Sequence, residues 1–258
     1  MDLNLTGKTA LITGSYRGTG LIIAQIMLQE GAQVLVHGLN LEQAQQATAS
    51  IGGGVPVSGD IATTLGCDTL WEQCAAYSID ILINNYGGAD AGSWQTSQTE
   101  DWLASFAKNV LSAQQLISRA LGPMRENGWG RIINIGTVGS TRPNNRMPAY
   151  YAAKGALANM TIGLAKEVAG SGIGVNIVSP AMILTPEVQA AYMEKGMREG
   201  WGETWEEVEP HVAKDIPIGR ITRREEVANL VAYLCSPLAD AVHGQNIRID
   251  GGQLGIVD

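Results

Sequence analysis

Residues 9–20 read Thr-Ala-Leu-Ile-Thr-Gly-Ser-Tyr-Arg-Gly-Thr-Gly, an apolar run that passes through three glycines into a second apolar stretch beginning at Leu21. Few folds use such a junction. A strand that ends in a tight glycine turn and restarts as a helix brings the free amides and partial positive charge of the helix N-terminus to the strand's end. In this reading Gly14 permits the turn, Gly18 lets the backbone approach a pyrophosphate, and Gly20 lets the helix pack closely on the strand. Ser15, Tyr16, Arg17 and Thr19 fill the turn and become candidate cofactor contacts. A bare glycine triplet is weak evidence. Its place after a strand and before a helix is what gives it meaning.

The same alternation continues down the chain. Strand cores are predicted at Gln33–His37, Val55–Val57, Ile81–Ile83, Ile132–Ile135, Val175–Val178 and Ile247–Ile249, about seven with the first. Helical patterns lie near 21–30, 41–50, 64–77, 100–126, 150–169 and 223–235. The strands are near-continuous apolar runs, as suits parallel strands covered on both faces. The expected fold is α/β: a single-domain, Rossmann-type, doubly wound parallel sheet flanked by helices, spanning residues 1–258. From Pro186 to Pro217 no strand is predicted. This stretch reads either as a helical substrate lid near 186–214 or as a packing or subunit-contact segment. Trp201 and Trp205 are four apart and are expected on one helix face.

Composition narrows the partners. A formal charge of −8 argues against nucleic acid or an anionic membrane as the main partner, since both require a basic surface. No run of about 18 apolar residues predicts a membrane span. The opening MDLNLTGKTA lacks a basic segment followed by an apolar stretch. Cys67, Cys74 and Cys235 have no ligand spacing and read as reduced thiols of a cytoplasmic protein. His37, His211 and His243 lie far apart, so no metal site is expected.

The spacing TGxxxGxG from Thr13 to Gly20 resembles the short-chain dehydrogenase/reductase superfamily. The resemblance extends through Asp60, Asn84-Asn85-Tyr86-Gly87, Asn109, Tyr150 with Lys154, Pro180-Ala181 and the C-terminal Arg248-Ile249-Asp250-Gly251-Gly252. It implies an NAD(P)-dependent oxidoreductase acting on a small carbonyl or alcohol, commonly a homotetramer. It also implies that Asp60 meets the adenine amino group and the Ile61 amide a ring nitrogen, with helix capping as a rival role for Asp60. Asn85 and Gly87 fall at the end of the fourth strand, where cofactor docks at a topological switch point. Pro180, the Ile183 backbone and the Thr185 hydroxyl are implied around the nicotinamide carboxamide, although Thr185 is equally placed to cap a helix starting at Pro186.

An acidic residue after the second strand would bond the ribose 2′-hydroxyl of NAD, whereas a cation accommodates the 2′-phosphate of NADP. Here Gly38 stands where NAD-using relatives carry a carboxylate, and Leu39 where NADP-using relatives often carry arginine. Arg17 matches a basic position used for the phosphate, and His37 is a candidate assistant. The expected cofactor is therefore NADP rather than NAD.

Tyr150 and Lys154, four apart on a helix, share a face. A carbonyl that accepts hydride must also gain a proton, and a free phenol of pKa about 10 is poorly matched to neutral pH unless a neighbouring ammonium lowers it. The resemblance adds contact between Lys154 and the nicotinamide ribose. It also implies a hydroxyl thirteen residues before the tyrosine, at Thr137, where relatives carry serine, and a supporting Asn109. Ser140 is a rival donor. Tyr86, Thr137, Gly139, Tyr150 and Met182 are the expected substrate contacts, within a largely apolar pocket suited to a ketone. Arg142 and Arg146 are candidate anion contacts or plain loop charges. Tyr86, Thr137 and Ala181 depart from the family pattern. They keep two other readings open: a cofactor-binding regulatory protein without turnover, and an epimerase or dehydratase built on the same site.

Overall fold

The computed structural model describes residues 2–256. Seven parallel strands form one sheet in the order β3-β2-β1-β4-β5-β6-β9. They are β1 (Thr9–Ile12), β2 (Gln33–Gly38), β3 (Val55–Ser58), β4 (Ile81–Asn84), β5 (Gly130–Ile135), β6 (Ile173–Pro180) and β9 (Asn246–Ile249). Each falls on one of the apolar runs in the sequence. All residues of β1, β4 and β5 are buried, because helices cover both faces of the sheet. One face packs against α1 (Gly18–Gln29) and α9 (Arg224–Cys235) through Ile23, Met27, Val227 and Val231. The other packs against α3 (Thr64–Gln73), α5 (Ser112–Asn127) and α6 (Pro148–Glu167) through Leu70, Leu116 and Leu157. Each such fully buried side chain contributes roughly 1.5–3 kcal/mol.

The strand order reverses between β1 and β4, so the carboxyl ends of these neighbours diverge and leave a crevice at the switch point. The first strand, the glycine turn and α1 open onto that crevice. α2 (Leu41–Ile51), capped by Asn40, follows β2.

Three local features differ from the sequence expectation. The helical pattern near 100–126 is α4 (Thr99–Phe106), a π turn at Ala107–Leu111 and then α5. The extra residue of that turn brings the Asn109 side chain to the Gly88 backbone. The 186–214 segment is α7 (Pro186–Glu199) and α8 (Trp205–Val212). Trp201 and Trp205 do not share a helix face, because Gly200 ends α7 in a left-handed conformation (φ 71°) and Trp201 lies in the connection, stacked on His211 with centroids 5.1 Å apart. Last, β7 (Ile183–Leu184) pairs with β8 (Thr222–Arg223). This short ladder and the two-point Arg223–Glu209 ion pair (2.7 and 2.8 Å) tie the α7–α8 segment to the start of α9.

Candidate active site

The glycine turn is held in shape by groups that face away from the crevice. The Thr13 hydroxyl accepts hydrogen bonds from the Asn85 and Tyr86 backbone amides at 3.0 and 2.9 Å. The Asn85 side chain donates in return to the Thr13 and Gly14 carbonyls at 2.9 and 3.2 Å. Gly14 and Gly18 have φ of 62° and 60°, a region that strains other residues. A Cβ on Gly20 would lie 2.4 Å from the Asn85 amide, so the close approach of α1 to β4 requires glycine there. The first amides of α1 carry no side-chain cap, whereas α2, α3 and α7 are capped by Asn40, Thr63 and Thr185. The turn thus presents unpaired donors to a cleft of about 700 Å³ lined by Gly14, Tyr16, Arg17, Gly18, Thr19 and Thr185. These features fit a dinucleotide pyrophosphate.

Several residues expected at the cofactor face elsewhere. Ser15 is buried, and its hydroxyl donates to the Ile12 carbonyl at 2.7 Å and accepts from the His37 amide at 2.9 Å. His37 cannot meet a phosphate. Its ring is fully buried, with Nδ1 accepting from the Gly14 amide (2.9 Å) and Nε2 facing the Gly59 carbonyl (2.8 Å). That pairing assigns the proton to Nε2, and burial pushes the pKa down to about 4. Gly38 does not reach the cleft either. A Cβ there would sit 2.8 Å from the Asn40 carbonyl and 2.9 Å from the Ala44 amide, which leaves no room for a carboxylate; Leu39 lines the cleft instead. The Ile61 amide already donates to the Gly59 carbonyl at 3.1 Å, so it is not free for a ring nitrogen. Asp60 remains exposed, because Thr63 caps α3.

A second cleft of about 250 Å³ shares Thr19, Asn85 and Gly87 with the first and is lined further by Thr137, Tyr150, Lys154, Pro180 and Ile183. Sequence-distant candidates therefore converge on one surface. Thr137 faces the Tyr150 phenol in this cleft and favours its ionisation, yet burial outweighs that and pushes the phenol up to about 12. Lys154 is buried with its ammonium donating to the Ile135 carbonyl at 2.7 Å, and burial lowers it to about 8. The expected lowering of the phenol by this ammonium is absent in the free protein. Asn109 donates to the Gly88 and Ser105 carbonyls (3.1 and 3.0 Å) and accepts from the Gly88 amide (3.1 Å). A Cβ on Gly87 would meet both Asn109 Oδ1 (2.6 Å) and Lys154 Nζ (3.4 Å), so these two groups flank that glycine. Ser140 is not a rival to Thr137, since its hydroxyl donates to the Thr137 carbonyl at 2.8 Å.

Three expected substrate contacts lie elsewhere. Gly139 is buried beneath Tyr151, and a Cβ there would fall 1.9 Å from the Tyr151 ring. Tyr151 therefore covers that position, with its hydroxyl accepting from Asn144 at 2.9 Å. Tyr86 lies on the far side from Tyr150, lining the larger cleft with its ring near His37. Met182 packs with Ala213, Ile216 and Ile221 under the α7–α8 segment, and Thr185 caps α7 through the Val188 amide at 3.2 Å. A buried network that the motifs did not suggest joins the strands to the catalytic helix: Asn84 donates to Asn134 and Asn134 to Thr161, each at 2.8 Å. Polar asparagines inside two apolar strands were its only sequence signal.

A switch-point crevice, a glycine turn with uncapped amides and an adjoining tyrosine–lysine corner define a dinucleotide-dependent oxidoreductase. Residues 14–253 match the family described as enoyl-(acyl carrier protein) reductase. The chain is 33% identical over 262 residues to the oxidoreductase YvaG of Bacillus subtilis (strain 168), covering 98% of each. It is 30% identical over 253 residues to the 3-oxoacyl-(acyl-carrier-protein) reductase of Escherichia coli (strain K12), covering 97% of this chain and 98% of that one. The crystal structure of L-sorbose reductase from Gluconobacter frateurii with NADPH and L-sorbose superposes over 100% of both chains, with a TM-score of 0.93 and 32% identity. The chain belongs to the short-chain dehydrogenase/reductase family and is an NAD(P)-dependent oxidoreductase.

His37 gives this site a pH-dependent stability. The unfolded chain takes up the imidazole proton below about pH 6.5, the folded chain only near 4. Between these values the unfolded state binds more protons, so stability falls as pH falls. Chemical denaturation at pH 7 and pH 5 is expected to differ by roughly 2 kcal/mol through this group. His37→Gln should remove most of that slope whatever it does to stability at pH 7; an unchanged slope would contradict the assignment.

Proposed function

We propose that the protein reduces a ketone to a secondary alcohol with NADPH, and catalyses the reverse oxidation, with Tyr150 as the general acid and base. The convergence of Thr137, Tyr150 and Lys154 on a cleft continuous with the glycine turn carries this reading. When bound, the cofactor supplies the hydride for the carbonyl carbon. The Tyr150 phenol, fully protonated at neutral pH in the free protein, delivers the proton to the carbonyl oxygen. The Thr137 hydroxyl donates a hydrogen bond to that oxygen and orients it. The Lys154 ammonium binds the ribose hydroxyls beside the reacting ring, Asn109 holds the Gly88 backbone near it, and solvent returns the proton that Tyr150 gives up. Pro180, Ile183 and Thr185 hold the carboxamide edge.

NADPH is supported by Arg17 on the wall of the large cleft, by the absence of space for an acid at Gly38, and by the NADPH-bound sorbose reductase. For the substrate, the apolar residues Ile135, Ala181 and Ile183 that line the smaller cleft support a small, largely apolar ketone, whereas the named relatives act on a ketose or a 3-oxoacyl group. The protein is proposed to work in the cytoplasm as a homotetramer, for which exposed Leu103, Leu111 and Ile162 on the helical surface provide apolar contact area.

Four outcomes test this reading. A panel of apolar ketones, ketoses and 3-oxoacyl thioesters, followed by loss of reduced-nicotinamide absorbance, is expected to show NADPH-dependent turnover. Tyr150→Phe should cut kcat/KM at least about a hundredfold while still binding NADPH. NADPH binding without turnover would favour the regulatory reading, and product formation with no net cofactor change the epimerase or dehydratase reading. Arg17→Ala should raise the KM for NADPH about tenfold, as loss of one charge-assisted phosphate contact does, and change that for NADH less than about twofold; equal effects would reject Arg17 as the phosphate contact. Light scattering should give four times the chain mass, and a monomer at micromolar concentration would refute the assembly.

A further inference from the structure

Tyr86 is the second residue beyond β4, and its backbone amide is pinned to the Thr13 hydroxyl at 2.9 Å. From that anchor its side chain turns away from the Tyr150 corner. The ring lies edge-on to His37, with centroids 6.2 Å apart and planes at 79°. In the strand order β3-β2-β1-β4, a side chain that leaves the end of β4 and reaches the His37 ring in β2 must cross the carboxyl end of β1. That ground is where the nucleoside half of a dinucleotide docks in an open α/β sheet. The ring is half-buried: one part packs on the core beneath it, and the rest lines the large cleft beside Tyr16 and Leu39.

A ring wedged in this way has little rotamer freedom left to lose, and it offers a flat π surface to the cleft. We propose that Tyr86 is the stacking wall for the purine base of the cofactor and sets the affinity of the adenosine half-site. The proposal rests on the cofactor reading above. Stacking on a fixed aromatic is tolerant of the base's hydrogen-bonding edge, because every base has a π face. Stacking uses the ring face, so the ring, not the phenol oxygen, carries the affinity.

Calorimetric titration of the full-length free protein with two probes tests this. Adenosine 2′,5′-bisphosphate carries the base, and ribose 2,5-bisphosphate keeps the sugar and phosphates without it. Tyr86→Ala is expected to raise the Kd of the first at least about tenfold, about 1.4 kcal/mol, and to leave the second within about twofold. Tyr86→Phe, which keeps the ring, should leave both within about twofold. Should Tyr86→Ala fail to fold, Tyr86→Leu keeps the bulk, removes the flat face and is expected to shift the two probes in the same unequal way. Equal weakening of both probes would mean that the ring only braces the turn, and an unchanged adenosine Kd that it does not touch the base; either result overturns the proposal. If the wild-type protein binds neither probe, the cofactor reading itself fails.

Discussion

The site depends on keeping one stretch of backbone unpaired. Buried amides normally find partners, and a turn whose donors point into an open cleft would rearrange unless its remaining groups were fixed. Here they are fixed from behind. Thr13 receives the two amides that follow β4, Asn85 donates to two carbonyls of the turn, Ser15 joins the ends of β1 and β2, and His37 bonds Gly14 and Gly59 at once. This ring of hydrogen bonds spans the ends of four neighbouring strands. It leaves the first amides of α1 as unsatisfied donors on the cleft side. The preorganisation is structural, so a phosphate entering the cleft meets donors already aimed at it.

The catalytic corner uses burial in a similar way. Burial alone opposes charge on both Tyr150 and Lys154, raising the phenol and lowering the ammonium. The two values therefore move apart, to about 12 and about 8, in directions opposite to those of a phenolate held beside a solvated cation. In the free protein the phenol keeps its proton, the state required of an acid. The Lys154 ammonium bonds the Ile135 carbonyl, and this contact fixes its position at the end of β5. The π turn that carries Asn109 completes the corner by clamping Gly88, so that the β4 loop, β5 and α6 share one anchor region.

Much of this was legible in the sequence. All seven strands of the main sheet lie on apolar runs, because parallel strands covered on both faces leave no polar alternation to obscure them. Thr137, Tyr150 and Lys154 were legible because family spacing is fixed relative to one helix and one strand end. What the sequence hid was direction. Ser15, His37 and Gly38 sit at the right positions along the chain, yet their side chains or missing Cβ atoms face the interior, and only the packing of the turn against α2 and β2 decides that. Gly139 was misread for the same reason, since the ring that requires a glycine there belongs to Tyr151 on another element. Trp201 and Trp205 do not share a helix because Gly200, in a left-handed conformation, ends α7 just before Trp201 and α8 begins only at Trp205.

The departures from the family pattern fall in two places with different physical consequences. Thr137 lines the smaller cleft with Tyr150 and Lys154, where its extra methyl narrows the space. Tyr86 lines the larger cleft, beside the glycine turn. A loss of catalytic function would be expected to erode the hydrogen-bonded corner first, since unneeded buried polar groups are costly to retain. In this protein the buried ammonium, the clamped asparagine and the Asn84–Asn134–Thr161 network all remain. The departure at Tyr86 therefore lies outside this buried polar network.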